Sequence, residues 1–114
     1  MEKKIEQGRL YDFYGDLLKP HQKRILEAAV YDDLSLAEIA AEEGISRQGV
    51  HDLIRRVTEN LQEYEDRLHM ITRYDRITAH AMRLKEMAME QDGISEQAAS
   101  TLYSIADDIL RDLV

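Results

Sequence analysis

The chain has 114 residues and no cysteine. Disulfides and thiolate metal sites are therefore excluded, and the composition fits a reducing, cytoplasmic setting. Proline occurs once, at Pro20, and glycine five times, which argues against long interrupted loops. No apolar run approaches the roughly 18 residues of a membrane-spanning helix, so membrane insertion is not expected. The opening MEKKIEQGRL carries charges but no apolar core of signal-peptide type. No phosphate loop, nucleophile elbow or paired carboxylate site is visible, so the sequence gives no ground for expecting an enzyme. His21, His69 and His80 are scattered, with no i, i+4 histidine pair and no His-Glu-x-x-His motif, so neither a metal nor another cofactor is expected.

Positive charge is also scarce. Fifteen lysines and arginines face 23 aspartates and glutamates, a net charge of −8. Ordinary DNA binders draw much of their affinity from phosphate contacts and show a basic footprint. Here residues 1–59 carry 9 basic and 12 acidic groups, and residues 60–114 carry 6 and 11. The segment 46–57 differs, with Arg47, Arg55 and Arg56 against Asp52 alone.

Hydrophobic residues make up 44% of the chain and charged residues 33%, which indicates a globular protein. The apolar spacing is helical throughout, and no strand signal appears. Leu10, Phe13, Tyr14, Leu17 and Leu18 form one amphipathic stripe, expected in the core. Pro20 suits the first turn of a second helix, reaching about Tyr31, with Ile25, Leu26, Ala29 and Val30 facing inward. Asp32 and Asp33 make the break. In the segment LSLAEIAAEEGISRQGVHDLIRR, Ser35 and Glu38 have the spacing of a capping box, with Leu34 and Ile39 as its hydrophobic staple. Gly44 supplies the left-handed stop. Ser46 caps the next helix, with Ile45 and Val50 repeating the staple spacing. Ala40 is small where two helices must cross. This is the pattern of a helix-turn-helix, whose second helix usually enters the DNA major groove.

No stop follows Arg56. Val50, Ile54, Val57, Leu61, Tyr64, Leu68 and Ile71 keep a coiled-coil rhythm, so the recognition helix is expected to continue to about residue 70. Its stripe must be buried, and a homodimer through residues 57–71 and the C-terminal helices is one way to do so. Glu63, Glu65 and Asp66 read as a solvated face, and Met82, Met87 and Met89 as packing residues. Ile77, Ala81, Leu84 and Ala88 lead to a helix end at Asp92-Gly93. Ser95 then caps a last helix with Ala98, Leu102, Ile105, Ile109 and Leu113 on one side. The expected architecture is all-α: a helix-turn-helix domain over residues 1–57 with an extended recognition helix, followed by a helical extension and C-terminal hairpin over 58–114, the expected dimerisation region.

The stretch LLKPHQKRILEAAVYDDLSLAEIAAEEGISRQGVHDLIRR resembles region 4, the C-terminal DNA-binding region of bacterial sigma factors. YDFYGDLL, YDDLSLAEIA, SRQGVHD and LQEYEDRL are similar, in kind and order, to the YlxM family of small bacterial helix-turn-helix proteins. The resemblance covers roughly residues 8–70, and residues 71–114 match only as a helical tail. It implies a regulatory role linked to the signal recognition particle pathway. Gly49 departs from the pattern, since a helix former would be usual there and glycine costs roughly 1 kcal/mol.

The outward positions early in the recognition helix are Ser46, Arg47, Gln48, His51, Asp52, Arg55 and Arg56. Arg47 suits guanine and Gln48 adenine; Asp52 suits cytosine but repels phosphate. His51 suits a base edge or a phosphate, and Arg55 and Arg56 suit phosphates further along. The alternative is a solvated polar face. Two functional readings stand open: a regulator contacting double-stranded DNA, and an adaptor of the signal recognition particle pathway that keeps the fold without binding DNA. RNA is a third partner class, without a signature in this fold.

Overall fold

The computed structural model describes residues 2–90 and 93–113, and among these it contains helices and no strand. The chain is all-α: α1 (Glu2–Tyr14), a 3-10 turn (Gly15–Leu17), α2 (Pro20–Val30), α3 (Leu36–Glu43), α4 (Arg47–Leu68), α5 (Met70–Glu90) and α6 (Glu96–Asp112). It divides into two compact units, Met1–Ile71 and Thr72–Val114. The expected boundary at 57/58 falls inside α4. Val57 and Leu61 lie on either side of it and share one core with Leu10, Tyr14, Leu18 and Leu26.

In the first unit α1, α2 and α3 all pack on α4. A second cluster, Ile25, Ala28, Ile39, Ala40 and Val50, fills the helix-turn-helix, with Leu34 and Leu36 against it. Pro20 stands in the first turn of α2, where its missing N–H costs no hydrogen bond. The stripe of α1 is corrected at Leu17, which is 59% exposed. The α-helix stops at Tyr14, and the tighter 3-10 turn rotates Leu17 outward while Leu18 stays buried. Gly15 sits under the ring of Tyr11, where a Cβ would lie 2.9 Å from the ring carbons. Tyr11 donates to Glu27 and Tyr31 to Asp12, so the two phenols clasp α1 to α2. Burial first, then these carboxylates, push both phenols up to about 12.

The coiled-coil rhythm of α4 is covered inside the chain. Val57 and Leu61 are buried under α1, and Tyr64 and Ile71 pack on the same cluster. Most of this seam is therefore already covered within the chain, while Leu68 is exposed. The reading of Glu65 as a solvated charge is overturned. Glu65 is buried, accepting from the Tyr14 hydroxyl at 2.5 Å and from the Ile71 backbone N–H at 2.9 Å. The Tyr14 oxygen in turn accepts from the Met70 backbone N–H at 3.1 Å. His69 closes α4 in the left-handed conformation, with φ 56°.

In the second unit the fully buried residues are alanines: Ala81 and Ala88 of α5, Ala99 and Ala106 of α6. Leu84, Ile109, Leu110 and Leu113 are half-buried. Ile77, Leu102 and Ile105 were expected inside and are exposed, and Ala98 is exposed too. Met82, Met87 and Met89, read as packing residues, are likewise exposed. Ser95 caps α6 as expected, accepting from Ala98 N–H at 3.1 Å. Gly93 has φ 76°, and Asp92 lies outside the described residues. Lys85 bridges to Asp107 at 3.3 Å and lies 4.7 Å from the Tyr103 ring centroid.

Candidate nucleic-acid interface

Local hydrogen bonds set the start of α3 and the turn from α3 into α4. Ser35 Oγ accepts from the Glu38 backbone N–H at 3.1 Å, and Glu38 Oε1 accepts from the Ser35 backbone N–H at 3.0 Å. That second bond holds the Glu38 carboxyl below its usual range. Gly44 ends α3 with φ 70°, a conformation that side chains with a Cβ resist. Ser46 Oγ accepts from Gly49 N–H at 2.9 Å. A Cβ at position 49 would approach the same oxygen to 3.1 Å, closer than ordinary contact, so glycine leaves this cap undisturbed. The fork of Arg24 donates twice to Glu43, each at 2.7 Å, tying α2 to α3. That pairing holds the Glu43 carboxyl low and occupies Arg24.

The seven outward residues share one surface. Ser46, Arg47, Gln48, His51, Arg55 and Arg56 are exposed and Asp52 is half-buried. Asp52 Oδ1 accepts from Gln48 Nε2 at 3.0 Å and lies 3.6 Å from His51 Nδ1. It thereby orients two neighbours while its charge is partly spent. Arg55 pairs with Glu59 at 3.4 Å. Arg47 and Arg56 have no ion-pair partner among the described residues, so both are available to an anion.

Leu36, Arg47, Gln48 and His51 line one groove of about 270 Å³ on this surface, and two further grooves border it. One lies between α1 and α4 and is lined by Lys3, Gln7, His51, Arg55 and Thr58, with a volume of about 290 Å³. The other lies between the start of α2 and α4, lined by Lys19, His21, Gln22, Arg56 and Asn60, at about 390 Å³. Glu59 lines both and so marks the ridge between them. Lys3, Lys19 and His21 were not among the expected site residues. They lie far from α4 in sequence, and no local pattern marks them. Among the described residues no group of side chains could hold a metal ion, and no helix is long and apolar enough to cross a membrane.

The sequence matches, over residues 1–102, the family described as "Putative helix-turn-helix protein, YlxM / p13 like". The match extends well past the span of roughly 8–70 that carried the resemblance. A UPF0122 protein of Geobacillus kaustophilus is 37% identical over 105 residues, which cover 92% of this chain and 96% of the relative. The UPF0122 protein of Bacillus thuringiensis is 34% identical over the same shares of the two chains. That of Halalkalibacterium halodurans is also 34% identical, over 92% of this chain and 95% of its own. No solved structure matches. With the helix-turn-helix built by α3 and α4 and the family match running through most of the chain, this protein belongs to the UPF0122 family of YlxM / p13-like helix-turn-helix proteins.

Proposed function

We propose that the protein is a DNA-binding regulator that places the first turns of α4 in the major groove. The observation that carries this reading is the ridge itself. Arg47, Gln48 and His51 stand exposed at the start of a capped recognition helix, and Arg47 and Arg56 are unpaired by any carboxylate among the described residues. Arg47 offers paired donors to a guanine edge, Gln48 offers a donor and an acceptor to an adenine edge, and Arg55 and Arg56 stand where phosphates would run. Such a regulator of bacterial genes would work in the cytoplasm, which the absence of cysteine fits. Arg47→Ala is expected to relax base preference in a selection from randomised duplexes. Arg55→Ala is expected to weaken binding alike across all sequences. Identical sequence profiles for wild type and Arg47→Ala would reject the assignment.

The net charge of −8 favours a second reading, an adaptor of the signal recognition particle pathway that uses the same surface for a protein partner. Loss of duplex binding with retention of a signal recognition particle component would select it.

The reading includes a homodimer, formed through the second unit. Ile77, Leu102 and Ile105 stand exposed in a hairpin whose fully buried residues are alanines. Covering each aliphatic side chain contributes up to about 1.5–3 kcal/mol. Sedimentation at micromolar concentration is expected to give twice the 13.3 kDa of one chain, and Leu102→Glu with Ile105→Glu to give the single-chain mass. Wild type at 13.3 kDa would reject the dimer.

A further inference from the structure

We propose that the two grooves beside the α4 ridge seat the backbone phosphates of the two DNA strands, one strand in each. This inference rests on duplex binding by α4 and adds which strand each basic cluster holds. In a helix each residue advances by about 100°, so His51 and Arg55 fall on one flank of α4 and Arg56 on the other, with Gln48, Asp52 and Glu59 between them. The structure completes each flank from a different helix. Lys3 of α1 lines the groove with His51 and Arg55, and Lys19 and His21 line the groove with Arg56. The cations Lys3 and Arg55 on one side and Lys19 and Arg56 on the other are thus separated, and the ridge between them carries the hydrogen-bonding side chains Gln48 and Asp52. A major groove about 12 Å wide has the same layout, with base edges in the middle and a phosphate row on each side.

This arrangement also accounts for DNA binding by an acidic chain. On this face Lys3, Arg55, Lys19 and Arg56 lie in the two grooves, and Arg47 stands beside them at the start of α4. Glu59, which borders both grooves and pairs with Arg55, opposes phosphate at either. Its carboxylate restrains the sequence-independent attraction that these cations would otherwise give.

The test uses the full chain, a short random-sequence DNA duplex and one of its strands alone, with affinity measured against salt. Each lost phosphate contact lowers the steepness of log K against log salt by about 0.9 on a duplex. Lys3→Gln and the pair Lys19→Gln with Arg56→Gln are each expected to flatten the duplex slope by about one contact or more, and all three together to flatten it by the sum. On the single strand one groove at a time suffices. Neither set alone should change the slope there, and only the combination should. Glu59→Gln is expected to raise duplex affinity. A wild-type duplex slope retained by either set overturns the two-strand assignment while leaving duplex binding intact. No salt-dependent duplex binding by wild type overturns the underlying reading and this inference with it. All the substituted side chains lie on the surface, and circular dichroism of each variant verifies the fold.

Discussion

Leu61→Glu is expected to unfold the first unit, whereas Leu68→Glu, further along the same stripe, is expected to leave it folded. Leu61 is 0% exposed and sits among Leu10, Tyr14, Leu18 and Leu26. The substitution forfeits about 1.5–3 kcal/mol of apolar burial. It also places an ionisable group in the core, one helical turn from the buried carboxylate of Glu65. A buried, unpaired charge adds several kcal/mol. Their sum is a large part of the roughly 5–15 kcal/mol that holds a domain together. Leu68 is 45% exposed, and a charge there stays in water. Urea denaturation followed by circular dichroism at 222 nm, a wavelength that reports helix, checks both variants. A wild-type midpoint for Leu61→Glu, or collapse of Leu68→Glu, would contradict the packing of α4 against α1. The pair also separates the fold from a dimer seam, because a seam through this stripe would make both substitutions affect assembly.

Tyr14→Phe is expected to cost about 1–3 kcal/mol, an effect larger than the loss of one oxygen suggests. The hydroxyl donates to Glu65 at 2.5 Å and accepts from the Met70 N–H at 3.1 Å. Its removal takes a donor from a buried carboxylate and an acceptor from a backbone amide at the α4–α5 turn. Glu65→Leu removes the acceptor at the other end and is expected to cost a similar amount, since the Ile71 N–H loses its carboxylate partner. The double variant should cost less than the sum, because the two groups form one network. Urea midpoints of the two singles and the double decide this. Strict additivity would mean that the bond contributes nothing of its own.

What the sequence made legible follows the range of the forces involved. The Ser35–Glu38 box, the Ser46 and Ser95 caps, Gly44 and Pro20 all act within a few residues, and each stands where its local chemistry places it. The length of α4, expected to about residue 70 and ending at Leu68, follows from the lack of any breaker after Arg56. Facing is a different matter, because it depends on which element arrives from elsewhere in the chain. Glu65 belongs by spacing to a charged run, yet Tyr14 comes over it from α1. The spacing of α6 suits Leu102 and Ile105 as an inner face, but the residues buried are Ala99 and Ala106, on a neighbouring face of the same helix. At the interface the α4 residues were readable from the motif. Lys3, Lys19 and His21 were not, since only the packing of α1 and α2 on α4 brings them beside Arg55 and Arg56.

The central claim is that the ridge of α4 binds duplex DNA although the chain carries a net charge of −8. The most direct measurement is the affinity of the wild-type protein for a DNA duplex across a series of salt concentrations. Arg55, Arg56, Lys3 and Lys19 each engaging a phosphate would give a slope of about −3 to −4 in log K against log salt. Binding that is absent at low salt, or that does not change with salt, would contradict the claim.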